Sequence, residues 1–595
     1  MRHWPEFALA LAVAQSALLG FACGPPHAVP ARPLLVPSRS LSAADAMVWE
    51  GRFDAAEAAY GRLKASAVVD AQAHLATLLD YEGRYHEAVA QAQAAVAAHP
   101  DSDSEARLTR ALDWSSDFAG ALAAGAQAVA ARPLDPLAPL FDSEALADAG
   151  YFAAAQRQID AARGIQQDAF GRAELDRERA NLDRDLGNSQ SQLNWLELAR
   201  AVQPAFPERV LELASYRYLL NQPTLGQADL ASVVSAHQAD SGVLLSAAST
   251  ALVGDDLVSA LGLYQAADKI RPGGAAALGV AELLIASKQD AAGARSGLEA
   301  DLATNPGDAA ARDLLAQLDQ QVLKQDPAPD LPPTSGPDPA IAARQQLFQL
   351  LNQARTAAGL GTLVDDAGLD AAARAQAYYL LFNLGQVAGG AQIAEASQLT
   401  GYTAADPAAR AKLFGYTGVS LGEVIGHTFS ESGDVQGWLD SVYDRVQLLQ
   451  PKAQSAGYAR VEVGPFAITV LDLGGSAGTP QAAAWPPAGA TGIPVAYVGG
   501  DSSDPLPVLA AIPAGYPVTL QSSADLSLSG AALLDPTGKE VAAYTLGPGG
   551  TLAAGQWALI PQHPLLPATT YGVALTGTLG GKPLAERWSF TTGRP

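Results

Sequence analysis

The amino-acid sequence predicts a multidomain chain in three parts: an all-α solenoid of helical repeats, then an α/β/α sandwich, then an all-β sandwich. Three observations predict it. An aromatic-and-alanine marker recurs at steps of 32, 33 and 34 residues in the first half. A run carrying six prolines then ends that periodicity between Lys324 and Ala340. Beyond residue 486, strand-like alternation is punctuated by turn residues.

The bulk composition sets the frame. A chain of 595 residues is too long for one core and calls for roughly three to five folded units. With 49% hydrophobic and 16% charged residues, 56 Gly and 39 Pro, most of it should pack into domains joined by turn-rich stretches. A formal net charge of −24, with no clustered Lys/Arg patch, excludes nucleic acid as a natural partner and disfavours adsorption to anionic lipid. Membrane attachment would then need a lipid or an apolar anchor.

The first element has the layout of a signal peptide over residues 1–23. Met1-Arg2-His3 precedes an apolar run from Phe7 to Ala22, bounded by Gly24-Pro25-Pro26; a retained membrane helix is the alternative. Leu19-Gly20-Phe21-Ala22-Cys23 resembles a bacterial lipobox, with Leu19 one position early and a bulky Phe21. That resemblance implies lipidation at Cys23, the one cysteine of the chain. Without a second cysteine no internal disulfide forms, which favours a bacterial origin.

Residues 42–323 form the repeat array. Gly51-Arg52-Phe53-x-x-Ala56 returns as Gly83-Arg84-Tyr85-x-x-Ala88, Asp117-Phe118-x-x-Ala121 and Gly150-Tyr151-Phe152-x-x-Ala155. Prolines at 100, 133, 204, 272 and 306 mark the ends of helical pairs, and about eight units fit. Small residues such as Ala88 with Ala95, or Ala260 with Ala267, allow paired helices to approach closely. This resembles the tetratricopeptide repeat, weakly between Gln167 and Thr250, and the resemblance implies a concave groove holding a protein or peptide partner. The alternative is a spacer or a dimerisation surface.

Residues 324–340 read as an extended Pro-rich linker. Residues 341–478 then restart with an amphipathic helix from Ile341 to Ala358, a second from Leu369 to Leu384, a Trp-bearing helix near Val435 to Leu449 and alternating strands from Tyr458 to Leu473. Leu351-Asn352-x-x-Arg355-x-x-x-Gly359-Leu360, Gly422-Glu423-Val424-Ile425 and Trp438-Leu439-x-Ser441-x-Tyr443-Asp444-Arg445-x-x-Leu448-Leu449 together resemble the CAP superfamily of cysteine-rich secretory and plant pathogenesis-related proteins. The resemblance implies a polar cavity that relatives line with two histidines and acidic partners, able to bind a divalent metal. Here Gln376 and Asp444 stand where those histidines are expected, and Glu423 remains. An amide beside carboxylates is a poor transition-metal site, so no metal and no cofactor are expected. The cavity-lining set is Gln376, Glu423, His427, Asp444 and Arg445. His427 would supply a replacement ligand only if its stretch curled into a helical turn. Glu423 and Asp444 are the catalytic candidates, as a carboxylate couple with split pKa values.

Gly418-Val419-Ser420-Leu421-Gly422 spells a nucleophile elbow, but the polar, Ala-rich text before it lacks the required strand. Residues 486–595 alternate as a β-sandwich, and Pro564 to Tyr571 followed by Trp588-Ser589-Phe590-Thr591-Thr592 resembles bacterial Ig-like domains, which implies a spacer or adhesive module. The functional expectation is an exported cell-envelope interaction or scaffold protein, an outer-membrane lipoprotein or a periplasmic or extracellular one. A protein or peptide partner would bind the repeat groove, with the CAP-like and Ig-like units forming a distal module. The alternatives are capture of a lipid or small polar molecule beside Leu380, Leu381 and Phe382, and hydrolysis through Glu423 with Asp444 or through Ser420.

Overall fold

The computed structural model describes residues 39–594, apart from 67, 69, 166, 288–289, 325–338, 387–394, 476–480, 499–504, 508–509, 511–512 and 549–551. The expected signal segment 1–23, Cys23 and nearly all of the linker lie outside the described residues.

Eight helical hairpins are found among the described residues. Repeat 1 pairs Arg39–Trp49 with Phe53–Ala65, repeat 2 Ala71–Tyr81 with Tyr85–Ala98, and repeat 3 Ser102–Trp114 with Phe118–Ala131. Repeats 4 to 6 are Ala138–Asp148 with Phe152–Arg163, Ala169–Asp185 with Ser189–Val202, and Pro207–Leu219 with Pro223–Ala236. Repeats 7 and 8 are Ser241–Val253 with Leu257–Ile270 and Gly274–Ala286 with Ala291–Thr304; Ala309–Gln317 and a π-turn at Leu318–Leu323 close the series.

The recurring sequence marker has a local cause. The turn between the two helices of each hairpin needs one residue with positive φ, filled by Gly51, Gly83, Ser116, Gly150, Gly187, Asn221 and Asp255 in repeats 1 to 7. The alanines three residues into the second helix, Ala56, Ala88, Ala121 and Ala155, are fully buried, where any larger side chain would hold the helices apart. Each marker proline follows the end of a second helix by two residues, where a residue without an N–H cannot continue the helix.

The array closes on itself. Repeat 1 meets repeat 7, where the Asp54 N–H donates to Asp240 (3.2 Å) and the Ser241 N–H donates to Asp54 (2.7 Å), and Arg271 pairs with Glu57. Phe53 and Tyr81 meet Phe206 of the loop before repeat 6 tilted and edge-on, with centroids 6.5 and 5.2 Å apart, and Trp49 stacks on Phe170 of repeat 5 at 5.9 Å. Between them lies a buried ionic network. Glu174 accepts from both Arg110 and Arg209, and Arg177 donates to Glu144 (2.6 Å), Glu178 (2.8 Å) and Glu212 (2.8 Å).

The second part is layered α/β/α. Its sheet has the order β1-β3-β4-β2, built from β1 (Val364–Asp365), β2 (Val419–Gly426), β3 (Ala453–Val463) and β4 (Phe466–Gly475); β1 runs parallel to β3 and the other pairs are antiparallel. Helices Pro339–Ala357, Ala367–Phe382, Pro407–Leu413, Glu431–Asp440 and Val442–Leu448 flank it. The Trp-bearing segment is two helices, divided where extended Ser441 caps the second one by accepting from the Asp444 N–H at 3.0 Å. Every residue of β4 is buried, so both sheet faces are covered.

This layer is not a distal module, because it shares cores with its neighbours. Leu380, Leu381, Phe382, Val463 and Phe466 belong to one continuous buried core with Leu252, Tyr264 and Leu283 of the repeats. Gly464, at the turn between β3 and β4 with φ +53°, abuts Tyr264, Leu252 and Ser249. Around that contact, Tyr85 meets Phe429 edge to face at 4.8 Å, His86 bonds Glu462 at 2.8 Å, and Ser430 and Ser432 donate to Ser116 and Asp117 of repeat 3, each at 2.9 Å. The inner face assigned to a partner by sequence is thus taken up by the repeats themselves and by this domain.

The third part is all β. One sheet has the order β10-β11-β8-β5, from β5 (Ala482–Trp485), β8 (Val518–Ser522), β10 (Ala543–Leu546) and β11 (Gln556–Pro561). The other is β13-β12-β9, from β9 (Leu526–Leu534), β12 (Thr570–Leu579) and β13 (Lys582–Thr591); β6 (Ala496–Tyr497) pairs with β7 (Ala514–Gly515).

Candidate functional site

The polar centre of the α/β/α domain is assembled from four elements. Gln376 stands in the middle of helix Ala367–Phe382, which Asp366 caps by accepting from the Gly368 and Leu369 N–H groups. Arg410 is carried by the two-turn helix Pro407–Leu413, started by Asp406 and Pro407. Glu423 on β2 sits directly across from Asp472 on β4. Glu395 comes from a loop fixed by its own bonds, accepting from the Thr403 N–H and hydroxyl at 2.6 Å each.

Arg410 is the hub. One Nη donates to the Gln376 amide oxygen (2.9 Å) and to Glu395 (3.0 Å), the other pairs with Glu423, and Asp472 lies 3.9 Å away. The side chains of Arg410, Glu395 and Glu423 are fully inaccessible to solvent, and Asp472 nearly so. Burial, then the neighbouring Asp472, pushes Glu423 well above the usual carboxylate range against the pull of Arg410. Burial likewise raises Asp472 to about 6. Burial alone would lower the Arg410 guanidinium, yet Glu423, Asp472 and Glu395 together hold it above its ordinary value.

The sequence-predicted residues separate into two groups. Gln376 and Glu423 meet, through Arg410. His427 follows a β-strand rather than a helical turn, which carries it about 13 Å along the chain from Glu423; its Nδ1 lies 3.1 Å from the Ala467 carbonyl, and burial depresses it to about 4. The carboxylate aligned opposite Glu423 is Asp472, while half-buried Asp444 sits in the first turn of helix Val442–Leu448. Arg445 serves the next domain: fully buried, it donates to the Leu439 and Pro517 carbonyls, the latter at 2.7 Å, and lies 4.8 Å from the Tyr516 ring centroid. Ser420 lies within β2, without the strand-to-helix turn an elbow needs. Leu380, Leu381 and Phe382 pack into the core shared with the repeats.

Arg410, Glu395 and Asp472 escaped the sequence reading. A signal existed for one of them, since Asp472 is the sole acidic residue between Phe466 and Leu473, and a strand covered on both faces leaves it no route to water.

The residues present do not fit a divalent ion at this centre, because a guanidinium already occupies the space among the carboxylates and the remaining neutral donor is an amide. Elsewhere among the described residues, Asp70, His99 and Asp101 gather closely enough to share a cation. His99 Nδ1 is 3.2 Å from Asp101 and 3.8 Å from Asp70, and the three half-buried side chains lie beside the starts of the inner helices of repeats 2 and 3.

Residues 348–470 match the family model described as the cysteine-rich secretory protein family, CAP; the match ends ahead of the β domain. A search of curated proteins returns no match. Among solved structures, the chain is similar to a tetratricopeptide repeat protein from Parabacteroides merdae at 12% identity, covering 39% of this chain and 92% of that one with a TM-score of 0.25. It is also similar to the Cut9–Hcn1 hetero-tetramer of APC/C (14% identity, 47% and 55% covered, TM-score 0.29) and to a thermophilic tetratricopeptide repeat protein of Thermus thermophilus (22%, 34% and 90%, TM-score 0.21). The repeat architecture described above rests on the helices themselves.

Proposed function

We propose that this chain is an exported cell-envelope interaction protein whose helical repeats hold their own CAP domain and meet a protein partner through their outer helices. The observation that carries the reading is the shared core: the repeats spend their inner face and the starts of several second helices on the CAP domain and on one another, so the outward faces of the second helices remain for a partner. Three of these, in repeats 5 to 7, display Leu198, Leu225 and Val258 at 48%, 50% and 71% exposure. A self-paired polar centre supports scaffolding over turnover, since Arg410 ties up the carboxylates a reaction would need. The N-terminal layout supports export with a lipid on Cys23. Among the described residues no helix is long and apolar enough to cross a membrane. The β domain, with its Ig-like ending, would serve as a spacer or adhesive module.

The test is capture from detergent-solubilised envelopes with the full chain, comparing wild type with the triple variant Leu198→Glu, Leu225→Glu, Val258→Glu. A partner held by wild type and lost from the folded variant supports the reading; a partner retained by the variant, or none at all, overturns it. Cys23→Ala should move the chain from the membrane to the soluble fraction, and unchanged fractionation refutes lipidation.

A further inference from the structure

A fully buried arginine flanked by three carboxylates requires an explanation beyond stability. A charge moved from water into a protein interior stays costly even after relaxation, and an apolar residue of similar volume would fill the same space at lower cost. The geometry here shows what the charge offsets. Glu395, Glu423 and Asp472 come from a loop and from two adjacent strands, so backbone placement brings their oxygens together regardless of what lies between. Three carboxyl groups gathered out of water must either keep a proton or share a counter-cation. Arg410 bonds Glu395 and Glu423 and lies 3.9 Å from Asp472, from a short helix of its own started by Asp406 and Pro407, while Gln376 accepts from the Nη that also serves Glu395.

We propose that Arg410 is the built-in counter-cation of this domain: its guanidinium takes the point among Glu395, Glu423 and Asp472 that would otherwise demand a bound divalent ion, and makes the fold independent of metal. Arg410 acts here as a positioning residue. It fixes the Glu395 loop to the edge of the sheet, and it closes the polar centre to exogenous cations. A planar fork suits the task because its two Nη atoms serve different carboxylates, which a single ammonium does less well.

The experiment uses the full chain and measures thermal unfolding in EDTA and then in millimolar Ca²⁺ or Zn²⁺, for wild type, Arg410→Ala, Arg410→Lys and the double variant Arg410→Ala/Glu423→Gln. Wild type should melt at the same temperature with and without EDTA, and any shift that added ion causes through the Asp70, His99 and Asp101 cluster is common to every variant and is subtracted. Arg410→Ala should melt about 5 °C or more lower in EDTA and regain part of that with saturating divalent ion, and the double variant should lose the recovery. Where Arg410→Ala does not fold, Arg410→Lys decides: a retained cation should leave it folded and insensitive to EDTA and to both ions. A wild-type melting point that falls in EDTA, an Arg410→Ala protein as stable as wild type, or an Arg410→Lys protein stabilised by either metal overturns the proposal.

Discussion

Replacing Glu174 with Gln should be among the most destabilising single changes in the repeats. Its carboxylate, wholly out of solvent, accepts from Arg110 of repeat 3 and Arg209 of repeat 6. The two guanidiniums bring it well below the usual carboxylate range against the opposing effect of burial. Other anions lie farther off: Arg110 has Glu178 at 3.8 Å and Glu144 at 3.9 Å, and Arg209 has Glu212 at 3.9 Å. Removing one partner of a buried pair costs about 3–5 kcal/mol, because the other charge is left uncompensated. With an unfolding entropy of about 2.1 cal/mol/K per residue, that loss lowers the melting temperature by roughly 5–8 °C if the array melts alone, and by roughly two thirds as much if the CAP domain melts with it. Calorimetry on the full chain reads both the shift and the number of transitions. The sign of the pH effect follows from a depressed folded-state pKa: the Glu174 contribution is present above about pH 4, where unfolded glutamates are charged, and is lost as pH falls further. The gap between wild type and variant should therefore narrow in acid. A loss below about 1 kcal/mol at pH 7 would refute the view that this ionic network holds the array closed.

Two further outcomes are expected. Burial raises Asp142 to about 7 against the Gln158 bond, so the native state favours its neutral form, and stability present below the unfolded carboxylate range is lost as pH rises towards 7. Asp142→Asn should match wild type near pH 4 and exceed it at pH 8 by up to about 4 kcal/mol, measured by urea unfolding at both values; parallel pH profiles would contradict the assignment. Gly464→Val places a Cβ 2.7 Å from the Tyr264 hydroxyl and 2.8 Å from Leu252 at a positive φ, so it should cost about 1–3 kcal/mol. It should also speed amide exchange at both 249–264 and 461–468, and acceleration confined to the second segment would show that the CAP domain and the repeats are not coupled there.

The repeats were legible where their turns use glycine. Gly51, Gly83 and Gly150 announce themselves, whereas Asn221, within the weakly patterned stretch from Gln167 to Thr250, does the same backbone work without the recurring letter, as do Ser116 and Asp255 outside it. The CAP domain was legible because its motif residues are structural staples. Arg355 donates to the carbonyls of Gly361, Leu448, Gln450 and Ala453, and Asn352 exchanges two bonds with Leu363. Arg445, the same residue type in an equally recognisable motif, turned out to fasten the β domain through Pro517 and Tyr516, because a motif shows that a side chain is constrained and not by what. Arg410 and Glu395 were not legible, since an arginine in a short polar helix and a glutamate in a loop look like solvent-facing charges until the fold brings them to the sheet. Closure of the array was equally hidden, for no local pattern records that Asp54 will meet Ser241.

That closure restricts how the gene for this chain can change. An open solenoid gains or loses a unit at little cost, because each unit touches only its neighbours. Here the first hairpin and the seventh are bonded to each other, and the tip between β3 and β4 rests on the seventh. One more hairpin spliced between them would carry Asp240 and Ser241 out of reach of Asp54 and draw Leu252 and Tyr264 away from Gly464. The number of hairpins between the first and the seventh is thus fixed by geometry.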